Sequence, residues 1–313
     1  MTAPALRRAK DRLPSARVPR ARWGGVPRAR IIPWLFLIPG LLFAITFKFI
    51  PMIEGMRMSM FKVQPFLGDQ FIGFDNYIKV LTDPKFVNAM GNTIVLGLGQ
   101  AIGALLVGLL LALLLEGSTR SLWIVRTAVF LPVVTAVAVV GEIWWILYFP
   151  SDIGFLNSIL GAVGIGPLQF LSDPSTALFW VMVVGIWIQA PYNMVILLAG
   201  LTGIDRGLYE AADMDGATRW HRLRYIVLPG LAPAFSVVIT LAAIRALRIF
   251  TEVYVLTGGG PAGSTEVWMT RVYAAGFERN DLGVASAAST LLLLVTIVLT
   301  ITVQMFTRRK DAR

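Results

Sequence analysis

The sequence contains no cysteine, and this absence removes several kinds of chemistry. Without thiols the chain cannot form disulfides, thiolate metal sites or a cysteine nucleophile. Its single histidine, His221, has no companions at metal-ligand spacing and is predicted to be a surface residue. The chain also lacks a Gly-x-x-x-x-Gly-Lys-Ser/Thr phosphate-binding loop and any visible set of nucleophile and base. We therefore expect no enzyme activity, no metal site and no bound cofactor in this chain.

Charged residues are scarce as well, at 15% of the 313 residues, whereas soluble domains carry about 25%. Hydrophobic residues reach 56% and gather in several long runs. A run of about 20 apolar residues is long enough to cross a bilayer as a helix. The composition therefore predicts an all-α, polytopic membrane protein without a sizeable soluble domain.

Six apolar runs are predicted to be transmembrane helices. They cover residues 31–53, 90–115, 122–149, 176–201, 231–256 and 283–306. A cleaved signal peptide is the competing interpretation of the first run, but its basic region is long and no small-x-small cleavage site follows. In the second run Ala104, Gly108 and Ala112 lie four residues apart, which predicts close helix packing inside the bundle.

Basic residues are unequally divided between the two sides of these helices. The net charge is +10, yet residues 1–30 alone hold nine Arg and Lys, which indicates a topology signal more simply than a nucleic-acid site. The tail, the 116–126 turn, the 203–230 loop and the C-terminus hold 19 basic residues, against seven on the opposite side. Both termini are therefore predicted to be cytoplasmic. The predicted parts are a disordered basic cytoplasmic tail (1–30), a six-helix domain (31–306) and a cytoplasmic C-terminal tail (307–313).

A polar stretch, residues 208–233, lies between two apolar runs and predicts a helix, a sharp turn and a second helix. Asp215 is predicted to be the N-cap of the second helix, and Gly216 permits the tight turn. Pro229 is predicted to end the second helix. The residues that define the spacing are Glu210, Ala211, Ala212, Asp215, Gly216, Ile226, Leu228 and Pro229.

This spacing, Glu-Ala-Ala, three residues, Gly, nine residues, Ile-x-Leu-Pro, resembles the signature loop (EAA motif) of permease subunits of binding-protein-dependent ABC importers. The segment from Arg248 to Pro261 resembles carbohydrate-type members, the first-type permeases of maltose, lactose and glycerol-3-phosphate importers. The resemblance implies a type I ABC importer permease fold in a bacterial inner membrane. It also implies that the loop is a coupling helix docked on an ATPase dimer, which holds ATP and Mg. A second permease and an extracytoplasmic solute-binding protein are the other implied partners.

Polar side chains inside the predicted spans are candidates for a solute path. Arg245, Arg248 and Glu252 follow at i, i+3 and i+7, which predicts one helical face. Glu142 is predicted to lie at a similar depth and to pair with Arg248 or Arg245. An ion-pair network that fixes packing is an equal alternative to a solute path. The full set of candidates is Glu142, Trp144, Trp145, Gln189, Asn193, Arg245, Arg248 and Glu252.

Aromatic faces beside amide groups suit sugars, although tryptophan near a membrane boundary is more often an interface anchor. The predicted solute is a sugar, an oligosaccharide or a polyol derivative, and the two arginines also allow a phosphorylated polyol. We predict a permease subunit of an ATP-driven carbohydrate ABC importer that works by alternating access. The alternative is a stand-alone secondary transporter or channel for a small polar solute.

Overall fold

The computed structural model describes residues 28–311 apart from Pro65, Leu67 and Ser118, with side-chain detail from residue 33 to residue 305. The predicted tail over residues 1–30 therefore lies almost wholly outside the described residues. The chain divides into two units that we describe separately, one ending at Ile53 and the other beginning at Glu54.

One apolar helical run forms the described part of the first unit. It consists of α1 (Arg28–Ala44), a π-helical turn (Ile45–Phe49) and α2 (Ile50–Met58), which continues past the unit boundary. The stretch Pro33–Met58 is long and apolar enough to cross a membrane. The predicted first span is confirmed, and its helix continues to Met58.

The second unit begins with small elements that the sequence did not predict. Strands β1 (Phe61–Lys62) and β2 (Gln70–Phe71) pair antiparallel, with Phe61 opposite Phe71. Helix α3 (Asp75–Thr82) follows, and α4 (Pro84–Leu114) starts six residues before the predicted position at residue 90. Asp83 explains this early start, because its side chain accepts a hydrogen bond from the Lys85 N–H (2.9 Å) as an N-cap.

The rest of the second unit is helical throughout its regular structure among the described residues. Its remaining elements are α5 (Arg120–Val134), α6 (Val137–Leu147), α7 (Phe155–Ala162), a 3-10 turn (Phe170–Ser172), α8 (Ala177–Thr202), α9 (Arg206–Met214), α10 (Arg219–Arg222), a π-helical turn (Leu223–Val227), α11 (Leu228–Gly230), α12 (Ala232–Ala246), α13 (Thr251–Thr257), α14 (Trp268–Tyr273), a π-helical turn (Ala274–Glu278) and α15 (Leu282–Asp311).

Among the described residues, four helices are long and apolar enough to span a membrane without interruption, namely Pro33–Met58, Pro84–Leu114, Ala177–Thr202 and Leu282–Met305. Two further spans are broken. The third bends by 100° between α5 and α6, and the fifth bends by 63° between Gly230 and Ala232. The six-span prediction therefore holds with four continuous helices and two bent pairs.

Helices α4 and α8 pack closely along one small-residue stripe. Ala104 and Ala112 are fully buried, and a Cβ atom on Gly108 would lie only 2.8 Å from the Asn193 Cβ and 2.9 Å from the Ala190 carbonyl oxygen. Small residues let the two backbones approach in this way. The close packing predicted for the second span is confirmed.

The third and fifth spans are each interrupted, so neither predicted run is one continuous helix. The third span turns three residues after the buried Pro132, at Thr135 and Ala136, whose ψ angles of 139° and 129° are not helical. The fifth span loses its helical form between Ala246 and Thr251. Arg245, Arg248 and Glu252 therefore do not share the face of one continuous helix.

The ends of the unit differ less from expectation. A short helix, α14, lies within the predicted external segment. The last helix continues to Asp311. The described part of the predicted C-terminal tail over residues 307–313 is therefore helical as far as residue 311.

Candidate functional site

The first candidate site is the signature hairpin, which we define as residues 205–230. Asp205 caps α9, since its carboxylate accepts a hydrogen bond from the Gly207 N–H (2.9 Å). Gly216 forms the turn with φ of +67°, a conformation that favours glycine. The Asp213 carboxylate then accepts a hydrogen bond from the Arg222 guanidinium (2.7 Å), which ties α9 to α10. The predicted helix, sharp turn and second helix are all present.

One predicted role within the hairpin is wrong. Asp215 is the C-cap of α9, and Thr218 is the N-cap of α10 instead, because the turn places two further residues between Gly216 and the new helix. The helical run that begins at Arg219 ends at Gly230, one residue after Pro229, and the chain bends by 63° directly afterwards. The predicted end of the second helix is therefore correct to within one residue.

The remaining hairpin residues divide between an inner and an outer face. Ala212 is 8% exposed and faces inward, whereas Glu210, Ala211 and Asp215 are exposed. Ile226 and Leu228 are half-buried, and Pro229 is exposed. His221 is exposed, as predicted, and its Nδ1 shares a hydrogen bond with the Thr218 hydroxyl (2.6 Å).

The outer face also carries large apolar side chains. Met214 is 90% exposed, Trp220 65% and Leu208 52%. Such side chains beside charged groups are typical of a surface that a partner protein covers. On the inner side, burial raises the pKa of Tyr209, and the Glu116 carboxylate on the neighbouring turn adds to the effect. The inner side of the hairpin packs in an apolar cluster that includes Leu115 and Leu122, while its other face is open.

The second candidate site is a cavity of about 450 Å³, which we call the arginine cavity. Residues of both broken spans line it, including the non-helical segments between α5 and α6 and between α12 and α13. In membrane proteins such backbone is tolerated where it lines a polar cavity. The lining residues are Pro132, Val133, Thr135, Val137, Gly185, Ile188, Gln189, Tyr192, Ile244, Arg245, Arg248, Ile249 and Glu252.

The cavity brings together four of the predicted path residues, namely Gln189, Arg245, Arg248 and Glu252. The Arg245 guanidinium lies 4.3 Å from the centre of the Tyr192 ring, a cation–π contact. Arg248 lies in the irregular segment between α12 and α13. This break in the helix places its side chain on the wall of the cavity.

One residue that the sequence reasoning missed, Gln100 of α4, supports the cavity wall. It is 1% exposed, and its Oε1 accepts a hydrogen bond from the Gln189 Nε2 (2.9 Å). Its buried Nε2 makes no hydrogen bond among the described residues. The signal in the sequence was an amide in the middle of the apolar run 90–115.

The other four predicted path residues do not line the cavity. Trp144 packs in an aromatic cluster, 5.1 Å from the Tyr148 ring and 5.6 Å from the Trp187 ring. Trp145 is 51% exposed, and Asn193 is buried against the Gly108 contact with 6% exposure.

The predicted ion pair of Glu142 is wrong. Glu142 is exposed, and no arginine or lysine among the described residues lies within 4.0 Å of it. The pair was predicted from the depth of Glu142 in a third span treated as one straight helix. The 100° bend before α6 gives the Glu142 side chain a different direction.

Comparison with known proteins decides the class. The family of binding-protein-dependent transport system inner membrane components matches residues 104–312. The chain belongs to this family. It is therefore a multi-pass membrane permease subunit of the ABC transporter type, and a transport component rather than an enzyme.

Individual relatives cover nearly the whole chain. A probable ABC transporter permease protein, YurN of Bacillus subtilis, is 34% identical over 88% of this chain and 96% of its own length. The trehalose/maltose transport system permease protein MalF of Thermococcus litoralis is 31% identical over 86% and 90%. A bacterial alginate ABC transporter, solved with an alginate pentasaccharide-bound periplasmic protein, matches with a TM-score of 0.80 at 26% identity, over 90% of this chain and 96% of the other. The predicted family and permease fold are confirmed.

Proposed function

We propose that this chain is one permease of an ATP-driven carbohydrate importer, and that it forms the solute path together with a second permease. The solutes after which its relatives are named support a carbohydrate or a polyol derivative: trehalose or maltose, sn-glycerol-3-phosphate, arabino-oligosaccharides and, for the matched structure, alginate. All of these solutes carry several hydroxyl groups, which need hydrogen-bond partners when they leave water.

The arginine cavity is the observation that carries this proposal. Its volume of about 450 Å³ lies within the range of small-molecule pockets, roughly 300–1,000 Å³. Amide, phenol, guanidinium and carboxylate groups line it within otherwise apolar helices. A hydrocarbon solute would leave these groups unpaired, whereas a hydroxylated solute can pair them.

The signature hairpin is proposed to couple this path to a separate ATPase dimer. Its exposed face of Met214, Trp220 and Glu210 offers an apolar and acidic docking surface. Closure of the ATPases around ATP and Mg would move the hairpin. The 100° bend between α5 and α6 and the irregular segment between α12 and α13, both at the cavity, give the spans places at which to pivot. The proposed result is alternating access between an inward-open and an outward-open cavity.

The excess of basic residues supports an orientation with both termini and the hairpin in the cytoplasm of a bacterium. The cavity would then receive its solute from an extracytoplasmic binding protein on the opposite side. That side holds the short sheet formed by β1 and β2, together with α7 and α14.

The test is uptake by proteoliposomes that contain this chain, the second permease and the ATPase. Labelled oligosaccharides, a polyol phosphate and an amino acid are offered with and without ATP and the binding protein. We expect carbohydrate uptake only when every component is present. Uptake by this chain alone would favour a stand-alone transporter or channel, and preferential amino acid uptake would overturn the carbohydrate assignment.

A further inference from the structure

The charges of the arginine cavity are unbalanced. Two guanidinium groups and one carboxylate line it, from Arg245, Arg248 and Glu252. Neither arginine lies within 4.0 Å of a carboxylate anywhere in the described part of the chain. A charge within apolar spans is costly unless it has an ionic partner or water, so this arrangement calls for an anion or solvent in the cavity.

The cavity carboxylate does not neutralise either arginine, because Glu252 forms no ion pair with Arg245 or Arg248 in the described part of the chain. Beside it, Gln100 is held by Gln189 through a 2.9 Å hydrogen bond. Gly185 makes room for this arrangement, because a Cβ there would lie 1.9 Å from the Gln100 Nε2.

The side chains of the two cavity arginines lie apart from the Glu252 carboxylate. The Arg245 guanidinium rests on the Tyr192 ring, which leaves its N–H donors without a hydrogen-bond acceptor among the described residues. Arg248 is exposed to the cavity and makes no side-chain hydrogen bond within the described ranges. Planar guanidinium donors match carboxylate and phosphate oxygens, and such charge-assisted bonds are stronger than bonds to a neutral hydroxyl.

From this geometry we propose that the arginine cavity selects carbohydrates that carry one anionic group, a carboxylate or a phosphate, over neutral carbohydrates. The anion lies between Arg245 and Arg248, and the sugar hydroxyls face Gln189, Tyr192 and the Glu252 carboxylate. The proposal rests on the proposed function, because it names the solute class of the same path.

The test uses the full complex in proteoliposomes with ATP and its wild-type binding protein. The probes are a disaccharide that ends in a hexuronic acid, the neutral methyl ester of that compound, and the parent disaccharide with a 6-phosphate. Each variant is compared with wild type on each probe. Selection by the binding protein cancels in these ratios, since the same binding protein is present throughout.

The central variants are Arg248→Gln and Arg245→Gln. Because a charge-assisted hydrogen bond is lost, we expect each to lower uptake of the uronic acid at least about tenfold, and uptake of the methyl ester less than about twofold. Arg248→Lys keeps the charge and should retain more uronate uptake than Arg248→Gln. A larger loss for the phosphate than for the uronate would assign the anion as a phosphate.

Two controls separate the cavity from general effects. Arg279→Gln removes an exposed arginine outside the cavity and should change uptake of all three probes by the same factor. Glu252→Gln removes the one cavity carboxylate and should raise the ratio of uronate to ester uptake.

Equal losses for the acid and its ester in both glutamine variants would overturn the proposal, since the arginines would then act through packing or through a carboxylate of the second permease. Absence of ATP-dependent uptake of every carbohydrate by the wild-type complex is a different result. It would contradict the proposed function itself.

Discussion

Gly216 shows how one residue sets the geometry of the signature hairpin. Its φ of +67° lies in the left-handed region, which costs other residues roughly 1–2 kcal/mol, and its N–H donates to the Asp213 carbonyl oxygen (3.1 Å). Proline can satisfy neither requirement, because its φ is fixed near −65° and it has no N–H.

We expect Gly216→Pro to leave the protein inserted in the membrane but to abolish ATP-dependent uptake. Gly216→Asn should retain more uptake than Gly216→Val, since asparagine tolerates the left-handed region. Uptake assays at matched membrane expression measure both. Normal uptake by Gly216→Pro would contradict the coupling role of the hairpin.

Glu210 is exposed on the outer face of α9, where a charge can pair with a docked partner. Glu210→Lys places a like charge against a basic docking site. We expect it to lower uptake and to weaken co-purification of the ATPase, with little effect on thermal stability. Glu210→Gln is the milder control, and unchanged ATPase recovery with Glu210→Lys would exclude this contact.

At the level of elements, the packing of α4 on α8 depends on Gly108. A Cβ atom there would lie 2.8 Å from the Asn193 Cβ and 2.9 Å from a backbone oxygen, whereas a Cβ on Gly91 of the same helix would meet nothing within 4 Å. Overpacking of this kind costs roughly 1–3 kcal/mol.

Gly108→Ala should therefore lower the unfolding temperature of the purified protein, and Gly91→Ala should leave it unchanged or raise it, since alanine is the better helix former. Thermal unfolding in detergent compares the two directly. Similar shifts for both variants would show that α4 and α8 do not approach as closely as the structure indicates.

The ion pair between Asp213 and Arg222 joins the two arms of the hairpin at 2.7 Å. The pair is partly exposed, with side chains 60% and 30% accessible, so solvent screening limits its contribution to about 1 kcal/mol or less. Asp213→Asn should cause a small loss of stability that shrinks at high salt. Arg219→Gln, which removes an exposed neighbouring charge, should cause none. A loss independent of salt would point to a role other than the ion pair.

At the level of the whole molecule, the absence of cysteine makes the orientation directly measurable. Phe66 is 99% exposed on the predicted outer side, and Met214 is 90% exposed on the predicted inner side. Phe66→Cys should react with a membrane-impermeant maleimide in intact cells, and Met214→Cys only after permeabilisation. The reverse pattern would overturn the orientation derived from basic residues.

The features that the sequence determined by itself are local ones. Apolar runs identify the six spans because their length and composition suffice to cross a bilayer. The helix–turn–helix form of the signature hairpin can be predicted from the sequence, because the acidic residues, the turn glycine and Pro229 act on their immediate neighbours. Even there, the predicted N-cap, Asp215, lies three residues before the observed N-cap, Thr218. The exact length of a turn depends on the contacts between the two helices that it joins.

The tertiary structure alone decided which polar groups share the cavity. Gln100 and Gln189 lie 89 positions apart in the chain, and no periodicity within one helix reports such a contact. The bends after Pro132 and before Thr251 turned Glu142 away and turned Arg248 inward. These directions follow from how helices pack on one another and from where a polar cavity allows irregular backbone, which is information that single residues do not carry.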